Sequence, residues 1–352
     1  MIEQLTKEAI ELLKNLISKQ SFSSEENETA LLIMQWFSSH NIKFESKKHN
    51  IWAKNKYFDI SKKTILLNSH HDTVKPNKGY TKDPLHPEVV DDKLYGLGSN
   101  DAGGCLVSLL ATFTYFYERN DLNYNFVIVA SAEEENSGPN GLNSMLKVIP
   151  EIDFAIVGEP TLMQLAIAEK GLLVLDCESK GTAGHAAHGV GDNAIYNVIE
   201  DVNWFQNFKF LKISETLGEV KMTVTQIEAG HQHNVIPASC KYVVDVRVTD
   251  AYSNQEVLEI IQSNVKSQVV ARSLRLNSSS IPKNHPIVEA GIKLGRETYG
   301  SPTLSDQAVL SCPSLKLGPG QSLRSHTADE FIYVNEIEEG VDLYIKILEG
   351  IT

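Results

Sequence analysis

Thr64-Ile65-Leu66-Leu67-Asn68-Ser69-His70-His71-Asp72-Thr73-Val74 opens as an apolar run and ends in two histidines and an aspartate. The run shows little alternation, as expected of a central strand covered on both faces. Two more runs repeat the arrangement. Residues 126–131 (FVIVAS) lead into Glu133-Glu134-Glu135, and residues 154–158 (FAIVG) lead into Glu159. Helical stretches fall between them, at 103–117 and 141–147. Upstream, Ile2–Ile17 has apolar residues at helical spacing, and a second helix is expected over 25–40 with Ser24 as its N-cap. Strands alternating with helices predict an α/β domain with a mostly parallel sheet. Open sheets of this kind bind ligands at the carboxyl ends of their strands, where these acidic and histidine residues fall.

The middle of the chain reads differently. Residues 172–179 alternate like a strand, 193–208 form a helix, 220–228 and 240–249 alternate again, 253–270 form a helix, and 271–276 a last strand. This β-α-β-β-α-β order predicts an antiparallel sheet with two helices on one face, a ferredoxin-like arrangement at 173–282. After Pro282 the α/β character returns with a helix over 286–299. The expected organisation is a discontinuous α/β domain, 1–172 and 283–352, interrupted by a smaller α+β domain.

The 352 residues suffice for two cores, and 42% hydrophobic with 22% charged residues fits a folded chain. A formal net charge of -13 repels phosphates and anionic lipids, which argues against nucleic acid and membrane as partners. Four scattered cysteines without a CxxC pair fit a reducing cytoplasm. The N-terminal helix lacks the basic start and unbroken apolar stretch of a signal peptide. The longest apolar segment, 105–116, is too short to span a bilayer.

Each acidic cluster admits a bland reading beside a functional one. Side chains alternate along an extended backbone, so His70 and Asp72 point to one side and His71 elsewhere. A carboxylate so placed can hold the second ring nitrogen of a metal-bound histidine, or the segment is simply a polar strand end. Asp101, in Tyr95-Gly96-Leu97-Gly98-Ser99-Asn100-Asp101-Ala102-Gly103-Gly104, stands before an apolar helix and reads as a ligand or as a helix cap. Glu133-Glu134-Glu135 is a solvated turn or a set of carboxylates that needs cations. Glu159 and the segment Ser325-His326-Thr327-Ala328-Asp329-Glu330 complete the series. No Gly-x-Ser-x-Gly elbow is present, and Cys105 reads as core.

In this order and on this scaffold, the five motifs resemble the M20 metallopeptidase family, which includes acetylornithine deacetylase, succinyl-diaminopimelate desuccinylase and aminoacylase. The resemblance covers essentially the whole chain. It implies a two-metal site with Zn²⁺, or Co²⁺ or Mn²⁺ in its place. His70 and Glu159 would hold one ion, Glu135 and His326 the other, and Asp101 would bridge them. Asp72 would orient His70, and Glu134 would be the general base, with Glu133 the competing assignment. Gly181-Thr182-Ala183-Gly184-His185 is similar to a family segment whose histidine reaches the partner subunit's active site, so the inserted domain would be a lid and dimerisation domain and His185 an oxyanion donor. Asn234 and Arg247 match substrate-contacting positions, although Arg247 reads equally well as a structural ion pair. Where the family often has arginine and Met-Lys, this chain has Leu97 and Ala102-Gly103. The stretches 166–172 and 230–237 look like the acetylornithine deacetylase branch, including relatives that act on acylated citrulline. The implied substrate is therefore a small N-acyl amino acid of arginine biosynthesis, with succinyl-diaminopimelate and dipeptides as the rival substrates and a catalytically silent metal-binding relative as the non-enzymatic alternative.

Overall fold

A computed structural model describes all 352 residues. The chain forms two compact units. The first comprises Met1–Ile167, Ser280–Tyr299 and Ser305–Thr352, and the second Ala168–Ser279 and Gly300–Leu304. The second unit begins inside the strand Leu165–Glu169 rather than at 173, and it takes in the short segment at 300–304.

In the first unit four strands run parallel, in the spatial order Asn125–Ser131, Thr64–His70, Phe154–Val157, Ser314–Lys316. Asn50–Lys54 and Phe44–Lys47 extend one side antiparallel, and Leu165–Glu169 pairs antiparallel on the other. Every residue of Thr64–His70 and Asn125–Ser131 is buried, because both faces of the sheet are covered. Ile65, Leu67, Phe126 and Ile128 pack on one face with the helices Ile2–Ile17, Gly104–Phe116 and Val334–Glu349. Leu66, Val127 and Val129 pack on the other with Leu142, Met145 and Ile149. Each large apolar side chain so buried contributes about 1.5–3 kcal/mol. Gly104–Phe116 is buried nearly all round, as a helix apolar on every side must be. A separate three-stranded sheet, Phe331–Tyr333, Lys93–Tyr95, Glu88–Val90, joins the C-terminal segment to the chain before Asp101.

The second unit has four antiparallel strands in the order Lys221–Ala229, Ser239–Val248, Gly171–Lys180, Gln268–Ala271. Val198 and Phe205 of the helix Ala194–Asn207, and Val257 and Ile261 of Asn254–Gln262, pack with Leu173, Leu175, Val244 and Val246. This is the expected β-α-β-β-α-β arrangement.

Several element ends differ from expectation. The helix expected over 25–40 is Asn27–Ser39, with Glu26 at its N-cap position. Ser24 does not cap it, since its hydroxyl is drawn to the Glu133 carboxylate at 3.0 Å. The helix expected over 286–299 stops at Lys293, where Gly295 takes a φ of 79° and the chain turns towards the strand Thr298–Ser301. The helix at 253–270 is shorter, Asn254–Gln262, and the strand after it lies earlier, at Gln268–Ala271. That at 141–147 is a single turn, Leu142–Met145. No helix is long and apolar enough to cross a membrane.

Candidate metal centre

The parallel strands deliver their polar ends to one place. Thr64–His70 ends on His70, whose side chain is almost fully buried. Its Nδ1 lies 3.0 Å from the Asp72 carbonyl oxygen and 3.4 Å from Asp72 Oδ1. The backbone carbonyl, more than the carboxylate, thus fixes the ring, and Nε2 turns towards the site. His71 points away, to Thr29 Oγ1 at 2.9 Å and the His49 carbonyl at 2.9 Å. The Asp72 carboxylate has another task. It accepts from the backbone N–H groups of Glu134 and Glu135, both at 3.1 Å, and from Ser23 Oγ at 2.7 Å.

Glu133 follows the strand Asn125–Ser131 in a left-handed conformation, φ 54°. Its carboxylate accepts from Asn140 N and Nδ2 and from Ser24 Oγ, so it holds the turn. Glu134 and Glu135 face inwards. Glu159 follows Gly158, where a side chain would strike Leu109 at 2.7 Å; only glycine allows this close approach. Asp101 ends a segment entered through Gly98, φ 75°, and the Asp101–Ala102 peptide is cis.

Two groups of candidate ligands result. His70, Asp101 and Glu159 offer atoms within 4.8 Å of one another, as do Asp101, Glu135 and His326. His70 Nε2 is 3.5 Å from Asp101 and 3.7 Å from Glu159. His326 Nε2 is 3.5 Å from Asp101 and 3.0 Å from Glu135. Asp101 belongs to both groups through its two oxygens. Glu134 belongs to neither, although its Oε2 is 3.9 Å from His70 Nε2.

These groups fit divalent cations. His70 Nε2 is buried and makes no hydrogen bond, yet it faces several carboxylates. Burial, with Asp101 beside it, pushes the Glu159 carboxyl up to about 8, and His70 and Lys316 offset only part of this. Burial also lifts Glu134 well above the usual carboxylate range, reinforced by Glu159, Asp306 and Glu135. The hydrogen bond to Glu135 raises His326 to about 9. Such crowding of acids is relieved by bound cations, and mixed histidine and carboxylate donors suit Zn²⁺ and its first-row neighbours.

The profile of Peptidase family M20/M25/M40 matches residues 66–350. This chain belongs to that family. Among its curated relatives, a succinyl-diaminopimelate desuccinylase from Rickettsia bellii is 26% identical over 96% of this chain and 95% of its own length. An acetylornithine deacetylase from Erwinia tasmaniensis is 28% identical over 96% of each. The fold is shared with aminopeptidase PepT from Bacillus cereus, with a TM-score of 0.76 and 16% identity over 100% of this chain and 99% of that one. It is shared also with the Bacillus subtilis YXEP protein, described as a dinuclear metal binding peptidase from the M20 family, at TM-score 0.74 and 16% identity over 98% of each chain.

The remaining residues singled out in the sequence lie in the second unit. His185 is exposed on a two-stranded ribbon, Gly184–His185 with Val235–Ile236, and its Nδ1 accepts from Ala187 N. The Asn234 carbonyl accepts from Ala186 N, which places Asn234 beside His185. Arg247 is bidentate to Asp245, at 2.8 and 3.0 Å.

Two acids received no role in the sequence reading. Asp306 accepts from Ser131 Oγ at 2.6 Å, and burial raises it to about 6. Glu330 accepts from the backbone of Gly98, Asn100 and Asp101. Neither follows an apolar run. Only Glu330's place four residues after His326 offered a hint.

Proposed function

We propose that this chain is a two-metal hydrolase that cleaves the amide bond of an N-acyl amino acid. The sharing of Asp101 between two ligand groups carries the reading. His70 and Glu159 would hold one ion, Glu135 and His326 the other, and Asp101 would serve both. Zn²⁺ is the ion we assign, with Co²⁺ or Mn²⁺ as substitutes. Bound there, the pair supplies Lewis-acid polarisation of the acyl oxygen and a lowered pKa for the attacking water.

The protein's own groups do the rest. Asp72 secures the turn that presents Glu134 and Glu135, and it sits against His70. Glu134 is the general base. Like Glu133 it stands outside both ligand groups, but its Oε2 lies 3.9 Å from His70 Nε2, whereas Glu133's carboxylate is spent on Asn140 and Ser24. Glu134 takes a proton from water as the water oxygen bonds to the acyl carbon. It then gives that proton to the amine nitrogen as the C–N bond breaks, releasing a carboxylic acid and a free amine. In a dimer, His185 of the partner subunit would donate to the oxyanion, and Asn234 and Arg247 would contact the substrate. Asp245 occupies Nε and one Nη of Arg247, leaving the other Nη free for a substrate carboxylate.

The acyl amino acid we favour is N-acetylornithine, N-acetylcitrulline or N-succinylcitrulline, on the likeness of residues 166–172 and 230–237 to the acetylornithine branch. A second reading, desuccinylation of succinyl-diaminopimelate, is favoured by the names of several relatives. Hydrolysis assays on these four compounds and a dipeptide panel separate the two. No hydrolysis of any of them by metal-loaded protein overturns the proposal.

We infer a homodimer through the second unit. Its strand Lys221–Ala229 lies at a sheet edge, with Ile227 exposed, and the helix Ala194–Asn207 exposes Tyr196 and Ile199. An unprotected edge beside apolar side chains suits strand-to-strand pairing of two copies. Sedimentation at micromolar concentration tests it, and a monomer there overturns it.

A further inference from the structure

Glu330 reaches back over more than two hundred residues to the segment that presents Asp101. Its Oε1 accepts from the backbone N–H groups of Asn100 and Asp101, both at 2.9 Å, and its Oε2 accepts from that of Gly98 at 3.1 Å. The side chain is buried. The main chain repeats the link, because Gly96 N–H donates to the Glu330 carbonyl at 3.0 Å and Phe331 pairs with Tyr95. Asn100 adds another tie, accepting from Gln321 N at 2.9 Å and donating to Gln321 O at 3.1 Å. The segment that ends in Asp101 and the segment that carries His326 are therefore clamped to each other, with the Glu330 carboxylate at the centre.

The choice of a carboxylate is informative. Three N–H donors converge on it, and two ionised oxygens can accept all three. A glutamine would turn an N–H₂ group against at least one of them. Against this gain stands the cost of a second buried acid close to Asp101. That cost is reasonable where the backbone under a shared ligand must hold its position, because groups behind the ligands set both their orientation and the affinity of the ion.

We propose that Glu330 is a positioning residue: its carboxylate fixes the backbone under Asp101 to the segment carrying His326, and so sets the affinity of both ion sites. The inference rests on the two-metal reading of the site. It concerns how tightly the ions are held rather than the chemistry done with them.

The test is titration of Co²⁺ into chelator-stripped protein, followed by calorimetry and visible absorption, for the wild type and Glu330→Gln. The wild type is expected to take up two equivalents. Glu330→Gln is expected to bind them roughly tenfold to a hundredfold more weakly. At saturating Co²⁺ its KM should match the wild type, and its kcat should largely recover. Uptake as tight as the wild type, with only a lower unfolding temperature, overturns the proposal and leaves Glu330 a scaffold residue. If Glu330→Gln fails to fold, Asn100→Ala serves instead. It removes the tie to Gln321 and is expected to weaken uptake in the same direction by a smaller factor; unchanged uptake overturns the proposal. Fewer than two equivalents bound by the wild type overturns the two-metal reading and this proposal with it. Two equivalents bound equally tightly by wild type and variant overturn the proposal alone.

Discussion

Glu134 in the first unit and Asp201 in the second are both acids held largely out of water, and their surroundings are opposite. Asp201 accepts from Lys266 N at 3.0 Å, Ser267 N at 2.9 Å, Ser267 Oγ at 2.5 Å and Tyr242 Oη at 3.3 Å. No hydrogen bond fixes the Glu134 carboxylate; its Oε2 lies 3.9 Å from His70 Nε2, and Glu159, Asp306 and Glu135 add like charge around it. A buried polar group with every partner in place fixes a fold. A buried acid left short of partners, among other acids, marks a place where something else must bind or react. The two units thus divide the work. One tolerates crowded charge at its strand ends, and the other is a satisfied scaffold that holds up an exposed ribbon.

Metal removal should separate the units most sharply. Chelation is expected to abolish amide hydrolysis, and returning Zn²⁺ or Co²⁺ to restore it. The second unit needs no ion for its core, so amide hydrogen exchange there should be unchanged by chelation. Loss of protection around Val244 and Val246 would break the contrast. Next in size is Glu134→Ala. It should bind both ions and lose about 10²–10⁴-fold in kcat, checked by metal analysis beside the hydrolysis assay. Removing one of several crowded acids should also leave the unfolding temperature of the metal-free protein unchanged or higher. Normal turnover would show that the base is elsewhere.

Asp201→Ala should behave in the opposite sense. It strips an acceptor from the buried Ser267 N–H, at about 1–3 kcal/mol for a buried group left unsatisfied, and from the part-buried Lys266 N–H, which water can reach. The denaturation midpoint should fall accordingly, while kcat per folded molecule stays near the wild type. If activity falls and stability does not, the second unit is more than a scaffold at this position.

The same contrast explains what the sequence could show. Strands such as Thr64–His70 and Asn125–Ser131 announce themselves by unbroken apolar runs, and the residues just beyond them inherit a known place at the sheet's edge. His70, Glu159 and the cluster Glu133-Glu134-Glu135 stood out as candidates for that reason, and strand position alone did not choose among the three glutamates. Glu330 and Asp306 did not stand out, since each acts through partners distant in sequence, such as Gly98 and Ser131. Helix ends were also hidden. Periodicity continues past Lys293, but the left-handed turn at Gly295 is decided by the backbone. Ser24 has the chemistry of an N-cap, yet a competing carboxylate, Glu133, takes its hydroxyl. Local propensity loses wherever a tertiary partner offers a stronger bond.

Arg247 gives the smallest expected effect and the finest distinction. Its guanidinium is about a third exposed and shares two bonds with Asp245. As a purely structural pair at that exposure, it contributes no more than about 1 kcal/mol. Arg247→Ala would then lower the denaturation midpoint slightly and leave KM alone. If Asp245 instead holds the guanidinium ready for a substrate carboxylate, the loss falls on binding. KM should rise roughly tenfold, equivalent to about 1.4 kcal/mol, with kcat and stability near the wild type. Arg247→Lys keeps the charge but loses the planar fork, so it should recover only part of the loss. We expect the KM effect. A shift in stability alone would return Arg247 to the scaffold and leave the second unit with no charged group committed to substrate.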